Sequence, residues 1–301
     1  MDKSFDIIII GGSYAGLSAG LTLARSRRKI LLLDSGEPCN KMVLHSHNFL
    51  TRDGDDPAQL MRIARSQLMK YPTVTWFDGE AVNAKQIENG LEIEVRTGEK
   101  FSGKKILFAT GLTDVLPGIA GFADCWGRSI LHCPYCHGYE VKDQKMAVTA
   151  NGEHAYHLCV LLKNLTNDLT LFTNGPSSLS SEQKETMKQL GISVYDSPIE
   201  KIIHQKHQME ALRLVDGTTH HFSVMFAKVL LHQQCTIPER LGCKFHEHLL
   251  QVDDCQRTSV KNVYAAGDNC RLPRTISLAV AAGTQAGFMI NWDLSTEQLN
   301  G

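Results

Sequence analysis

The first apolar run, Ile7 to Ile10, is unbroken isoleucine between Asp6 and a Gly11-Gly12 pair. A β-branched run of this kind suits a strand buried on both faces of a parallel sheet, and the glycines end it. Leu17, Leu21 and Ala24 then fall at helical spacing, and Ile30 to Leu33 forms a second apolar strand closed by Asp34. From Cys39 to Asp56 the periodicity disappears into polar sequence with His45, His47 and Asn48, which reads as a loop over a nucleotide. A helix is predicted over 57–69. Short alternating strands over 74–77, 91–97 and 104–108, separated by Gly90 and Gly98, then suggest a meander returning to the parallel sheet. It ends at Ala109-Thr110-Gly111, and Pro117, Gly118 and Gly121 punctuate a crossover.

The pattern then begins again. A strand over 145–150, a helix over 153–165 and a strand over 169–173 repeat the βαβ unit. A helix over 183–190 and strands over 192–195, 212–215 and 229–231 follow, with a second crossover at 233–238. The last elements are a strand over 262–266, ending in Gly267-Asp268, and an Ala- and Gly-rich helix over 276–290. This alternation predicts an α/β protein of two Rossmann-like three-layer domains, the second inserted into the first: 1–114 with 236–301, and 115–235.

Strand, glycine turn, helix, strand and terminal acid together make 7–34 a dinucleotide fingerprint. The glycines let the backbone approach a pyrophosphate at the helix N-terminus, and Asp34 accepts ribose hydroxyls. Ser13 replaces the central glycine; it is small enough for close approach but tolerates positive φ less well. The repeated turn, Ala150-Asn151-Gly152-Glu153-His154-Ala155, lacks the first glycine and puts a carboxylate where the pyrophosphate would lie. The next strand ends at Thr173-Asn174-Gly175, with no Arg or Lys before Lys184 to hold a 2′-phosphate. Hydrogen bonds to charged groups contribute about 1.5–3 kcal/mol each, so NADPH is expected to be a poor ligand. Asp268, at the end of the returning strand and facing a helix start, suits the ribityl and phosphate end of a flavin dinucleotide.

At 301 residues the chain exceeds the size at which a single core stops growing, which agrees with two domains. A formal net charge of -1 gives no broad attraction for nucleic acid or an anionic membrane, so neither is expected as a partner. Nine cysteines, most of them scattered singly, imply a reducing cytoplasm rather than a disulfide framework. The opening apolar run is too short for a signal peptide or a membrane span.

The chemistry concentrates at His132-Cys133-Pro134-Tyr135-Cys136-His137. Two thiols separated by two residues can close a small reversible disulfide, and a helix start beneath them favours thiolate. Pro134 stiffens the loop by fixing φ. Half of a structural zinc site and an inert buried pair are the alternatives, but no second ligand pair accompanies the first. An imidazole can exchange a thiol proton near neutral pH, which makes His137 the favoured base over His132. The histidines at 204, 207, 220, 221, 232, 246 and 248 share no metal-ligand spacing and read as surface residues, so no metal is expected.

Gly11-Gly12-Ser13-Tyr14-Ala15-Gly16, Ala109-Thr110-Gly111, the Cys133/Cys136 pair with Gly138-Tyr139-Glu140, and Ala266-Gly267-Asp268 resemble the low-molecular-weight thioredoxin reductase family over nearly the whole chain. The resemblance implies FAD, with contacts from Gly11, Ser13, Tyr14, Ala15, Gly16, Asp34, Asn48, Val82, Thr110, Gly111, Gly267 and Asp268. It also implies an NADPH-type domain, a homodimer, and electrons passing between flavin, dithiol and a substrate. Cys136 would face the flavin and Cys133 the substrate, a thioredoxin-like protein or a small dithiol or disulfide. The reductases carry an Asp after the pair, where this chain has His137. That departure and the decayed second turn are closer to the family's dithiol oxidases or its ferredoxin-linked reductases, with oxygen or ferredoxin as the electron partner. A conventional NADPH-dependent reductase and a non-catalytic flavin-binding redox sensor stay open beside them.

Overall fold

A computed structural model describes residues 3–299. The chain divides into two compact units: Met1–Lys41, Pro57–Thr113 and Leu231–Gly301 form one, and Met42–Asp56 with Asp114–Leu230 form the other. The polar segment expected over a nucleotide thus belongs mostly with the second unit.

In the first unit the isoleucine run lies in the strand Ser4–Ile10, between parallel neighbours Ile30–Asp34 and Lys100–Phe108. Alternate side chains leave a strand on opposite faces. Ile7 and Ile9 join one core cluster with Leu17, Leu23 and Ile290, and Ile8 and Ile10 join another with Leu91, Ile93 and Phe101. Both faces are covered, so the run needs no polar positions. The strand Lys100–Phe108 forks: its first half pairs antiparallel with Gly90–Val95, Ile93 opposite Phe101, and its second half pairs parallel with Val263–Ala265, Val263 opposite Ile106. The fork is how the meander rejoins the parallel sheet. One strand the pattern did not predict, Ala81–Ile87, pairs with Gly90–Val95. Only Ala81 in it is fully buried, so it carries almost no apolar signal.

The helices Tyr14–Arg25 and Ile276–Leu299 pack closely, because a Cβ on Gly283 would stand 2.1 Å from the Ala15 carbonyl oxygen. The last helix runs past its expected end at 290. Asp293 accepts from Arg257 Nη2 at 2.7 Å, from Arg257 Nε at 2.9 Å and from the Tyr264 hydroxyl at 2.5 Å, which fixes the added turns to the returning strand. Lys105, buried in the sheet, donates to Asn262 Oδ1 at 2.6 Å and to Glu297 on the same helix.

The second unit holds a five-stranded parallel sheet in the order Ser193–Tyr195, Leu169–Phe172, Met146–Thr149, Val224–Ala227, Ile130–Leu131. A three-stranded antiparallel sheet, Ile199–Gln205, Gln208–Leu214 and Thr219–His221, accompanies it. The expected βαβ repeat is Met146–Thr149, Gly152–Lys163 and Leu169–Phe172. Val224–Ala227 is fully buried yet too short for its apolar run to be told from a loop. The surface reading of the histidines needs correction. His207, His221, His232 and His246 are exposed, whereas His204, His220 and His248 are half-buried. His220 is packed against Phe172 and Tyr195, with ring centroids 5.2 and 4.5 Å away.

Candidate active site

The first glycine turn is built for close approach. A Cβ on Gly16 would lie 1.9 Å from the Gly11 carbonyl oxygen, which ties the turn to the helix it opens. Gly12 donates its N–H to Asp34 Oδ1 at 3.0 Å, so the strand-end acid and the turn hold one another. Ser13 is the N-cap residue, but its side chain makes no capping bond, and the first turn from Tyr14 and Ala15 carries no acid. The leading N–H groups of the helix therefore have no side-chain acceptor from the cap, the condition for anion binding. Gly267 stands against this helix start, a Cβ there lying 3.0 Å from Ala15 Cβ, and Asp268 pairs with Arg274 Nε at 3.4 Å.

Beside Gly111, Thr110 Oγ1 is buried without a hydrogen-bond partner, as are Asn269 Oδ1, Gln233 Oε1 and His248 Nε2. Asn269 Nδ2 donates to the Phe108 carbonyl at 2.8 Å, and Gln233 Nε2 donates to the carbonyls of His248 and Asn269 at 2.7 and 2.8 Å. Buried polar atoms without partners are uncommon and suit a polar group bound against them. The uncapped helix, the close turn and these atoms fit a flavin dinucleotide. Two further residues expected as contacts, Val82 and Asn48, are each engaged by a hydrogen bond within the chain. The Val82 carbonyl accepts from Arg240 Nη2 at 2.5 Å, and exposed Asn48, in the Met42–Asp56 segment, donates its N–H to Asp53 Oδ1 at 2.7 Å. Trp76 was not selected from the sequence, yet its ring would meet a Cβ on Gly12 at 2.5 Å, and Arg65 stacks on it at 3.9 Å. An aromatic in the strand beside Asp34 was the available signal.

The second turn is arranged differently. Asn151 Oδ1 caps its helix by accepting from Gly152 N at 2.8 Å, and it also accepts from Ser178 N at 2.8 Å and Ser178 Oγ at 3.0 Å. Glu153 Oε2 accepts from Gln183 Nε2 at 2.6 Å. At the next strand end, Thr173 Oγ1 donates to the Gly175 carbonyl at 2.7 Å and Asn174 Oδ1 accepts from Ile199 N at 2.8 Å. The polar side chains of this turn and of the next strand end thus bond within the chain.

Cys133 and Cys136 form a disulfide with Cα atoms 5.3 Å apart. Cys133 caps the four-residue helix Pro134–His137, and Cys136 donates its N–H toward Cys133 Sγ at 3.1 Å. No residue of this helix is fully buried, and Tyr135 between the sulfurs is 66% exposed, so the pair stands on an accessible turn of the second unit. Burial pushes the His137 imidazole below its ordinary 6.5; Glu140 pulls it up and His47 pushes it down, with a net lowering. It is therefore neutral at pH 7, the form that accepts a proton. His47 was read only as part of a polar loop, yet its ring meets that of His137 at 90° with centroids 6.5 Å apart. Among the described residues no group of three or more His, Cys, Asp or Glu side chains is arranged to hold a metal.

Comparison with known proteins agrees with this construction. Residues 5–286 match the model of the pyridine nucleotide-disulphide oxidoreductase family. The thioredoxin reductase tcpT of Claviceps purpurea is 31% identical, over 98% of this chain and 96% of that protein. The thioredoxin reductase aclD of Aspergillus oryzae is 33% identical over 71% of each. The crystal structure of an oxidoreductase from Agrobacterium tumefaciens superposes with a TM-score of 0.92 at 35% identity, covering 97% of this chain and 99% of that one. With two Rossmann-type units, a glycine turn fit for a flavin dinucleotide and a Cys-x-x-Cys disulfide, the chain belongs to the pyridine nucleotide-disulphide oxidoreductase family and is a flavin-dependent disulfide oxidoreductase of the thioredoxin reductase type.

Proposed function

We propose that this chain passes electrons between FAD, the Cys133/Cys136 pair and a dithiol or disulfide substrate without efficient use of NADPH. The observation that carries the reading is the contrast between the two turns: Ser13 makes no side-chain cap, while Asn151 caps its helix and binds Ser178. The substrate is a small dithiol or disulfide or a thioredoxin-like protein, the electron partner oxygen or ferredoxin, and the working form a cytoplasmic homodimer.

In the oxidative direction a substrate thiolate attacks Cys133 Sγ. The Cys133–Cys136 bond breaks and Cys136 leaves as thiolate. The second substrate thiolate then attacks the mixed disulfide, forming the substrate disulfide and releasing Cys133 as thiolate. Two electrons have moved from the substrate to the enzyme dithiol, and of the two substrate thiol protons neutral His137 takes one and solvent the other. The reductive direction reverses each step. The turn at Gly11 to Gly16, with Asp34, Thr110 and the Gly267-Asp268 end, would hold FAD, which would supply a two-electron partner for the dithiol.

Anaerobic stopped-flow absorbance tests this. Oxidised holoenzyme is mixed separately with NADPH, NADH and a small dithiol. Bleaching of the flavin by the dithiol, with little from either nicotinamide, is the expected result; rapid bleaching by micromolar NADPH would restore a conventional thioredoxin reductase.

A further inference from the structure

His47 lies in the second unit on a narrow reversal of the chain, held where Ser46 N donates to the Asp55 carbonyl and Gly54 N to the Ser46 carbonyl, both at 2.8 Å. Its side chain is 20% exposed. Its Nδ1 stands 3.5 Å from Glu140 Oε1 and 3.6 Å from Asp53 Oδ1. The His45 ring lies 6.5 Å from it on the same segment, with Nδ1 on the Gly54 carbonyl at 3.1 Å. The His137 ring meets it at right angles from the dithiol helix. The charged and titratable groups around His47 are thus His45 and Asp53 on its own segment, Glu140 on the turn Tyr139–Val141, and His137 on Pro134–His137. A polar segment with no periodicity has brought an imidazole to the group next to the redox pair.

We propose that His47 is a positioning residue for the dithiol chemistry: by its contact with the His137 ring and its bridge to Glu140, it sets the pH below which His137 ceases to take a proton from a substrate thiol. The inference rests on the reading of His137 as that proton acceptor. A positive charge on His47 opposes one on His137, while the Glu140 carboxylate favours it, so the two neighbours act with opposite sign. A unit charge at this ring separation moves a titration by about half a pH unit at the dielectric of water and about two units at the value suited to a protein surface.

The test is a histidine NMR titration of the holoenzyme carrying isotope-labelled histidine, with the His137 resonance assigned by its loss in His137→Gln. His47→Gln is expected to raise the His137 midpoint by about half to two pH units, and Glu140→Gln to lower it. The acid limb of flavin bleaching by a small dithiol should follow in each case. Midpoints that stay in place, or that move the same way in both variants, overturn the coupling. Midpoints that move as expected while the acid limb stays would instead remove His137 as proton acceptor and leave the coupling standing. If His47→Gln melts early because the 46–55 reversal is lost, Glu140→Gln still carries the sign, and Glu140→Asp should restore part of the shift.

Discussion

Asn151 Oδ1 accepts a hydrogen bond from the Ser178 N–H at 2.8 Å, joining the start of one helix to the loop after the next strand. The same oxygen caps its own helix through Gly152 N, and its Nδ2 donates to the Pro176 carbonyl at 2.9 Å. Asn151→Ala removes all of these. The cap alone contributes about 1 kcal/mol, so the variant should melt about 2 °C lower, read by the circular dichroism of the holoenzyme. An unchanged melting temperature would show that the turn does not depend on this side chain.

The two cysteines of the disulfide should not be equivalent in function. Cys133→Ser is expected to abolish exchange with substrate. Cys136→Ser should leave Cys133 able to attack a disulfide substrate and accumulate the mixed disulfide, seen as an added mass under non-reducing conditions. Its flavin spectrum should also differ from that of Cys133→Ser. Wild-type turnover in both variants would remove the pair from the chemistry.

The other thiols divide by burial. Burial pushes the Cys159 thiol up to about 12, and Cys270, shielded in the same way, also to about 12. At pH 8 each carries about a thousandfold less thiolate than a thiol at the ordinary 9.0 and should be alkylated correspondingly slowly. Exposed Cys39 should label first in a short iodoacetamide pulse followed by peptide mass mapping. Early labelling of Cys159 would mean that its helix opens readily.

Asp293 ties the last helix to the returning strand, and Asp293→Asn should cost about 2 kcal/mol by weakening its charge-assisted bonds to Arg257 and the Tyr264 hydroxyl. Burial alone would raise this carboxyl, but the bonds from Arg257 and Tyr264, with the charges of Arg257 and Lys105, hold it below the ordinary 3.8. A carboxyl lowered in the folded state stabilises it fully above the unfolded value, and that stability is lost as pH falls through the folded value. The melting gap between wild type and variant should therefore be full at pH 7 and begin to close below pH 3.8. A gap that widens on acidification would contradict this account.

Neighbours in the chain were enough for the βαβ units, the glycine turn with Asp34 and the paired cysteines, though not for strands such as Ala81–Ile87, Ile199–Gln205 and Val224–Ala227. Each of those signals is local: side chains alternate along a strand, recur each turn along a helix, or stand a few residues apart at a turn. The contrast between the two turns was also half visible, since Glu153 and the missing glycine are consecutive symbols. What no local pattern holds is the meeting of His47 with His137 and Glu140, the closure of the second turn by Ser178, or the clasp of Asp293 on Arg257 and Tyr264. These contacts join residues that share no periodicity and lie far apart in the chain, so only the packing of whole elements brings them together. The same is true of the Met42–Asp56 segment, whose polar composition named it a loop but not the unit it would join.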